Sequence, residues 1–152
     1  MSMNFLEEIG VNIKDPAINS MEYPLEENVE RSKKFEEQRD TYGFDERETW
    51  DLRYSSSCWI YQRLKMFKIL ASETIDLDIY SIDITPDNSS ETEVRTLEGC
   101  IDFVIENLER YIRYENRDGI VESFSLNEDA EVREGLSRAF IVYGKIVNYL
   151  WW

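Results

Sequence analysis

The chain has 152 residues, 42% of them hydrophobic and 13% aromatic, enough to bury one sizeable core without help from disulfides or metal. It carries 32 acidic against 17 basic residues, a net charge of −15, which disfavours direct binding to nucleic-acid phosphates. There is no histidine and there are two cysteines, so the usual general base near neutral pH, Ser–His and Cys–His nucleophile pairs, and a four-ligand structural zinc site are all disfavoured or excluded.

In chain order, residues 1–24 contain Gly10, Pro16 and Pro24 and read as an irregular strap, with a short helical turn through Phe5, Leu6 and Ile9. MSMNFLEEIG lacks the basic start and apolar run of a secretory signal. No apolar stretch approaches the roughly 18 residues that span a bilayer. These features point to one cytoplasmic domain over 1–152. Residues 25–41 favour helix but offer only Leu25, Val29 and Phe35 as an apolar stripe, so this acidic helix lies on the surface, stopped by Gly43. Asp45 and Glu48 have the spacing of a capping box at the start of a central helix over 45–71. Leu52, Ser56, Ile60, Leu64, Phe67 and Ala71 form its core face, widened by Trp59, Met66 and Leu70.

Residues 74–85 alternate apolar and polar, but the parity switches at Tyr80–Ser81, which suggests a bulge or two short extended pieces. Pro86–Ser90 is a loop by composition. Helical spacing resumes over 91–115 through Val94, Leu97, Ile101, Val104, Leu108 and Ile112. A strand over 120–125 is a candidate to pair with 75–84. Asn127 then caps a last helix over 128–150, with Val132, Leu136, Tyr143 and Leu150 on its face. The expected fold is mainly α: a bundle of three amphipathic helices plus a smaller acidic helix, with room for a two-stranded β-element from 75–84 and 120–125. Cys58 and Cys100, on separate helices, read as buried free thiols.

Each candidate site has a structural alternative. Ser55, Ser56, Ser57 and Cys58 invite a nucleophile, but Lys65 and Lys68 lie two turns or more away, and small residues that let a helix pack closely are the preferred reading. Asp76/Asp78 and Asp83/Asp87 fail the calcium-loop pattern, since Tyr80 and Ser81 stand where a ligand and the turn glycine belong. No catalytic, cofactor or metal residue is assigned. Glu26, Glu27, Glu30, Glu36 and Glu37 on the second helix, and Glu128, Asp129 and Glu131 on the last, are candidate partner-binding carboxylates; helix-borne rows of acid can imitate a phosphate backbone. Trp151 and Trp152 either dock on the bundle, the preferred reading, or contact a partner or a second copy. Residues 51–72, with 1 acidic against 4 basic residues, are the one basic island, and Arg63, Lys65 and Lys68 are expected to pair with acid elsewhere.

Gly43-Phe44-Asp45-Glu46-Arg47-Glu48-Thr49-Trp50-Asp51-Leu52 and, further on, Arg63-Leu64-Lys65-Met66-Phe67-Lys68 resemble a group of small, largely uncharacterised proteins of bacteriophages and prophages. Such proteins show a Gly-Phe, acidic, Thr-Trp-x-Leu entrance, an aromatic-rich helix, and often an aromatic tail like Tyr149–Trp152. This chain departs at Arg53, where acid is common, and at Gln62, where proline is common, so its helix should run uninterrupted. The resemblance implies phage origin and action in the host cytoplasm, and it brings no catalytic residue with it. Small size, charge and missing catalytic equipment then suggest a non-enzymatic module that binds a basic nucleic-acid-binding host protein, such as a defence nuclease, by occupying its groove. The alternative is a phage accessory or assembly protein acting as a homo-oligomer.

Overall fold

A helix needs a face that stays apolar for several turns, and the chain's best one forms the centre of the molecule. The computed structural model describes residues 29–116 and 126–152. Four α-helices run through them: α1 (Val29–Tyr42), α2 (Leu52–Ala71), α3 (Leu97–Glu115) and α4 (Leu126–Ile146). A 3₁₀ turn over Glu46–Thr49 precedes α2, and another over Val147–Tyr149 follows α4. Two short strands, β1 (Ser81–Asp83) and β2 (Val94–Thr96), pair antiparallel with Ile82 opposite Arg95. The fold is thus a mainly α bundle with a small β-element. No helix among the described residues is long and apolar enough to cross a membrane.

α3 packs against both α2 and α4. Its Leu97, Ile101, Val104, Leu108 and Ile112 are buried, and Cys100, Ile105 and Tyr111 widen that stripe. α4 answers with Val132, Leu136, Ala139, Val142 and Ile146, all buried. Gly135 marks the closest approach: a Cβ there would come within 2.5 Å of Asn107 Oδ1 on α3. The β-element caps one side through two cations of α4. Arg138 donates to the Ile84 carbonyl at 2.7 Å and Lys145 to the Asp83 carbonyl at 3.2 Å. Cys58 and Cys100 are buried free thiols, and burial pushes the Cys100 thiol up.

Several sequence expectations need correction. α2 begins at Leu52, not at Asp45. Asp51 is its cap, accepting from the Tyr54 N–H at 3.1 Å, while Asp45 caps only the 3₁₀ turn. The buried side of α2 is Ser57, Cys58, Tyr61 and Leu64, together with Ile60 and Ala71. Leu52 stands 63% exposed and Trp59 is exposed as well. Ile60, Leu64 and Ala71 are thus buried as the spacing suggests, and Ser57, Cys58 and Tyr61 extend the buried side in place of Leu52 and Ser56. Val29 of α1 is exposed, so Phe35 alone anchors the apolar side of that helix among the described residues.

β1 pairs with 94–96, and the expected partner 120–125 lies outside the described residues. Val94 therefore belongs to a strand, and α3 starts after Thr96, whose hydroxyl accepts from the Gly99 N–H at 3.0 Å. Asn127 falls inside the first turn of α4, and that helix ends at Ile146 rather than 150. Leu77, Ile82 and Ile84 are all buried, so 74–85 comprises two short pieces that each turn an apolar side inward.

One polar atom in the core is poorly served. Tyr111 is fully buried, and its hydroxyl has no hydrogen-bond partner among the described residues. Burial, with the charge of Glu115 adding, pushes its pKa up to about 12. An unmet buried hydroxyl costs on the order of 1 kcal/mol, so Tyr111→Phe is expected to raise the melting temperature by about 2–4 °C. Calorimetry of the two proteins checks this, and a fall in melting temperature would show that the hydroxyl is satisfied.

Candidate functional site

The segment between α1 and α2 is built around one buried carboxylate. Gly43 ends α1 at φ +82°, with its N–H donating to the Arg39 carbonyl at 2.8 Å. A left-handed residue at this point suits glycine and lets the chain double back. Asp45, 1% exposed, then accepts from Arg39 Nε at 2.5 Å, from Arg47 Nη2 at 2.9 Å and from the Arg47 N–H at 3.0 Å. The Arg47 hydrogen bond, followed by that of Arg39, holds the Asp45 pKa down at about 2 against the opposing effect of burial. Arg47 lies over the Phe35 ring at 4.4 Å, and Phe35 meets Trp50 edge-on at 6.2 Å. A single knot of acid, guanidinium and ring therefore fastens α1 to the start of α2.

Beyond this knot the same segment presents apolar side chains to solvent. Phe44, Trp50, Leu52 and Trp59 are all exposed. Phe44, Glu48, Leu52 and Trp59 line a depression of about 160 Å³, together with Thr49, Ser55 and Ser56. Trp59 is also one wall of a groove of about 190 Å³, shared with Arg63, Phe67, Tyr143 and Leu150. Partial burial pushes the Glu48 carboxyl up and the Arg63 guanidinium down. Arg63 stacks on Trp59 at 4.2 Å instead of pairing with a carboxylate, and Lys65 lies over Tyr61 at 5.2 Å. Of the three expected ion-pairing cations only Lys68 pairs with acid among the described residues: Asp102 at 2.5 Å and Glu98 at 3.7 Å. The Asp102 hydrogen bond leads in raising the Lys68 pKa.

The serines are committed to the backbone. Ser55 donates to the Glu48 carbonyl at 2.6 Å, Ser57 to the Arg53 carbonyl at 2.6 Å, and Ser56 to that of Leu52. These bonds make Ser55 a clasp between the 3₁₀ turn and α2. The acidic pairs do similar local work. Asp76 accepts from the Asp78 N–H at 2.9 Å, and Asp83 from the Thr85 N–H at 2.9 Å.

The candidate partner-binding residues divide into groups. Glu26 and Glu27 lie outside the described residues. Glu30, Glu36 and Glu37 are exposed on α1. The cations of that helix are drawn to the 45–50 segment: Lys34 to Glu46 at 2.9 Å, Arg39 to Asp45, and Arg31 to the rings of Phe35 and Trp50. Glu30, Glu36, Glu37 and Asp40 thus stay outward, with only Lys33 among them. On α4 Glu128 is exposed, whereas Asp129 and Glu131 already have work in the fold. Asp129 accepts from Arg133 at 2.9 Å and from the Tyr114 hydroxyl at 3.0 Å, and Glu131 from Arg110 at 3.2 Å. The start of α2, the end of α3 and the start of α4 meet through the Asn116–Tyr54 and Tyr114–Asp129 hydrogen bonds.

Trp151 and Trp152 are 73% and 57% exposed, so the expected docking of this tail on the bundle does not occur. Leu150 alone of the three packs against the core. Phe44 and Trp59 were not among the sequence candidates as surface residues, because a large aromatic near a helix reads as core; for Trp59 the lone hint was its place in the basic island beside Arg63. Helical bundle, exposed aromatic side and outward acid define a class of arrangement suited to contact with another macromolecule. Comparison with family models, curated proteins and solved structures finds no match to this chain.

Proposed function

We propose that this chain is a non-enzymatic, phage-type binding module whose partner is a basic protein, with a host nucleic-acid enzyme as the leading class. The observation that carries the reading is the one-sidedness of α1. Lys34, Arg39 and Arg31 turn toward Asp45, Glu46 and the Phe35–Trp50 rings, and Glu30, Glu36, Glu37 and Asp40 are left to solvent with only Lys33 among them. Glu36 and Asp40, four residues apart, lie about 6 Å apart along the helix, and Glu30 and Glu37 about 10 Å apart. A row of charge at that pitch, backed by a net charge of −15, steers a basic groove toward it as a phosphate backbone would. Commitment of the Ser55, Ser56 and Ser57 hydroxyls to backbone carbonyls also favours binding over catalysis.

The test is capture from host lysate at low and high salt, with identification by mass spectrometry, followed by measured affinities for the captured protein. The expected partner is basic, leaves at high salt, and binds the triple variant Glu36→Lys/Glu37→Lys/Asp40→Lys at least tenfold more weakly. These residues make no ion pair among the described residues, so the variant should melt close to the parent. Asp129 and Glu131 are unsuitable for this purpose, since reversing them breaks contacts with Arg133 and Arg110. Unchanged affinity in the triple variant, or capture that ignores salt, would overturn the reading.

A further inference from the structure

One carboxylate on the aromatic side of the molecule is covered by the fold and left short of partners. The Glu48 side chain is only 18% exposed, yet it accepts no hydrogen bond among the described residues. Its one ion-pair contact among them is Arg39, at the outer limit of 4.0 Å. The cations near it are engaged elsewhere: Arg39 and Arg47 on Asp45, and Arg63 on the Trp59 ring. Burial is the leading cause of the raised Glu48 pKa, and those cations offset it only in part.

Glu48 stands in the depression of about 160 Å³ whose apolar walls are Phe44, Leu52 and Trp59. Three hydroxyls complete the lining, and each already donates its proton to a backbone carbonyl: Thr49 to Glu46 at 2.7 Å, Ser55 to Glu48 at 2.6 Å, and Ser56 to Leu52. What they still offer is oxygen lone pairs. The polar side chains of the depression therefore present acceptors alone, beside two exposed aromatic rings.

We propose that this depression receives one arginine side chain from the protein partner, with its guanidinium at the Glu48 carboxylate and its stem along Phe44, Leu52 and Trp59. The inference rests on the reading of that partner as basic, and it adds the residue type that the partner inserts. Other occupants fit the lining less well. An anion would meet only acceptors, on a chain of net charge −15. An apolar side chain would close Glu48 off from water with no partner in exchange. A lysine supplies a point charge, whereas a guanidinium carries its donors in a plane, is more weakly hydrated and stacks on aromatic rings, as Arg63 already does on Trp59. The depression has room for one side chain and not for a helix, whose diameter is about 10–12 Å. Glu48 belongs to the 3₁₀ turn to which α1 is fastened, so the depression and the outward acid of α1 lie on neighbouring elements and can serve one basic surface.

The test is a titration of the full chain with acetyl-Gly-Arg-Gly-amide at low salt, followed by two-dimensional amide NMR. The Trp59 indole N–H and the amides of Glu48, Thr49 and Leu52 are expected to shift together, with a dissociation constant in the millimolar range. The same peptide with citrulline, which keeps the shape and loses the charge, should bind about tenfold more weakly or worse, and the lysine peptide should fall between the two. Glu48→Gln and, separately, Phe44→Ala are each expected to weaken the arginine peptide about fivefold or more, with melting temperatures within a few degrees of the parent's. No shift at these residues, citrulline as good as arginine, or unchanged affinity in either variant would overturn the assignment. Shifts confined to α1 would overturn it too, since they would show attraction by charge alone. No host protein enters the titration, so its failure leaves the acidic face of α1 standing, and unchanged capture by the α1 triple variant would leave the arginine site as measured.

Discussion

Replacing Asp45 by alanine is expected to release α1 from the bundle. The carboxylate is 1% exposed and is held by Arg39 and Arg47, and Arg47 in turn covers Phe35. Removing one partner of a buried pair leaves the remaining charge unmet and costs about 3–5 kcal/mol. Among the described residues the contacts that fasten α1 run chiefly to residues 45–50, so the loss should appear as local opening. Amide exchange over 29–42 is expected to speed up by roughly 100-fold or more, with α3 and α4 little changed. Asp51→Ala, which removes an exposed cap from α2, serves as the contrast, at about 1 kcal/mol. Unaltered protection over 29–42 in the Asp45 variant would mean that α1 is held elsewhere.

The same carboxylate sets an acid limit. Its folded pKa is lowered from 3.8 to about 2. A group whose folded pKa is depressed stabilises the fold fully above its unfolded value and loses that contribution as protons bind. The docking of α1 should therefore be intact above about pH 4 and should weaken as pH falls toward about 2, a change of about 2 kcal/mol.

What was legible in the sequence follows from how each element is stabilised. α3 could be read because its face repeats over four buried turns, and Ile101, Val104, Leu108 and Ile112 leave no other phase. Its start could not, because Val94 fits the helical spacing while Thr96 supplies a cap, and a cap decides where a helix begins. α2 was read correctly at Ile60, Leu64 and Ala71, which are buried, but not at Leu52 and Ser56. Periodicity weights large residues, yet small Ser57 and Cys58 are buried while Leu52 and Trp59 end outside. The pairing of 81–83 with 94–96 was not foreseen, because the helical spacing of 91–115 took Val94 into the helix; a near hairpin needs only a short loop to close.

At the site, the exposure of Glu30, Glu36 and Glu37 was legible from helical spacing. What could not be read was which cations would turn away from them, since that depends on Asp45, Glu46 and two rings brought in from outside the helix. The aromatic face was hidden by the general rule that tryptophan is mostly covered. The exposure of Trp50, Trp59, Trp151 and Trp152 departs from that rule, and the departure sets them apart as candidates for contact.

One substitution made at two positions of α2 tests the phase on which this surface depends. Leu64→Ala is expected to cost about 3 kcal/mol, because Leu64 is 4% exposed within the core and its removal opens a cavity that the neighbours fill only in part. The melting temperature should fall by about 6–12 °C. Leu52→Ala, at a position 63% exposed, should change stability by less than about 0.5 kcal/mol. The residue type and the helix are the same, so helix propensity cancels and only burial differs. Chemical denaturation with a constant slope in both variants would establish the difference as one of stability. If the two losses were equal, α2 would be turned with Leu52 inward. Trp59 and Arg63 would then rotate off the groove they line. A large loss at 64 with almost none at 52 keeps Trp59 outward, with Arg63 stacked on its ring at the wall of the groove.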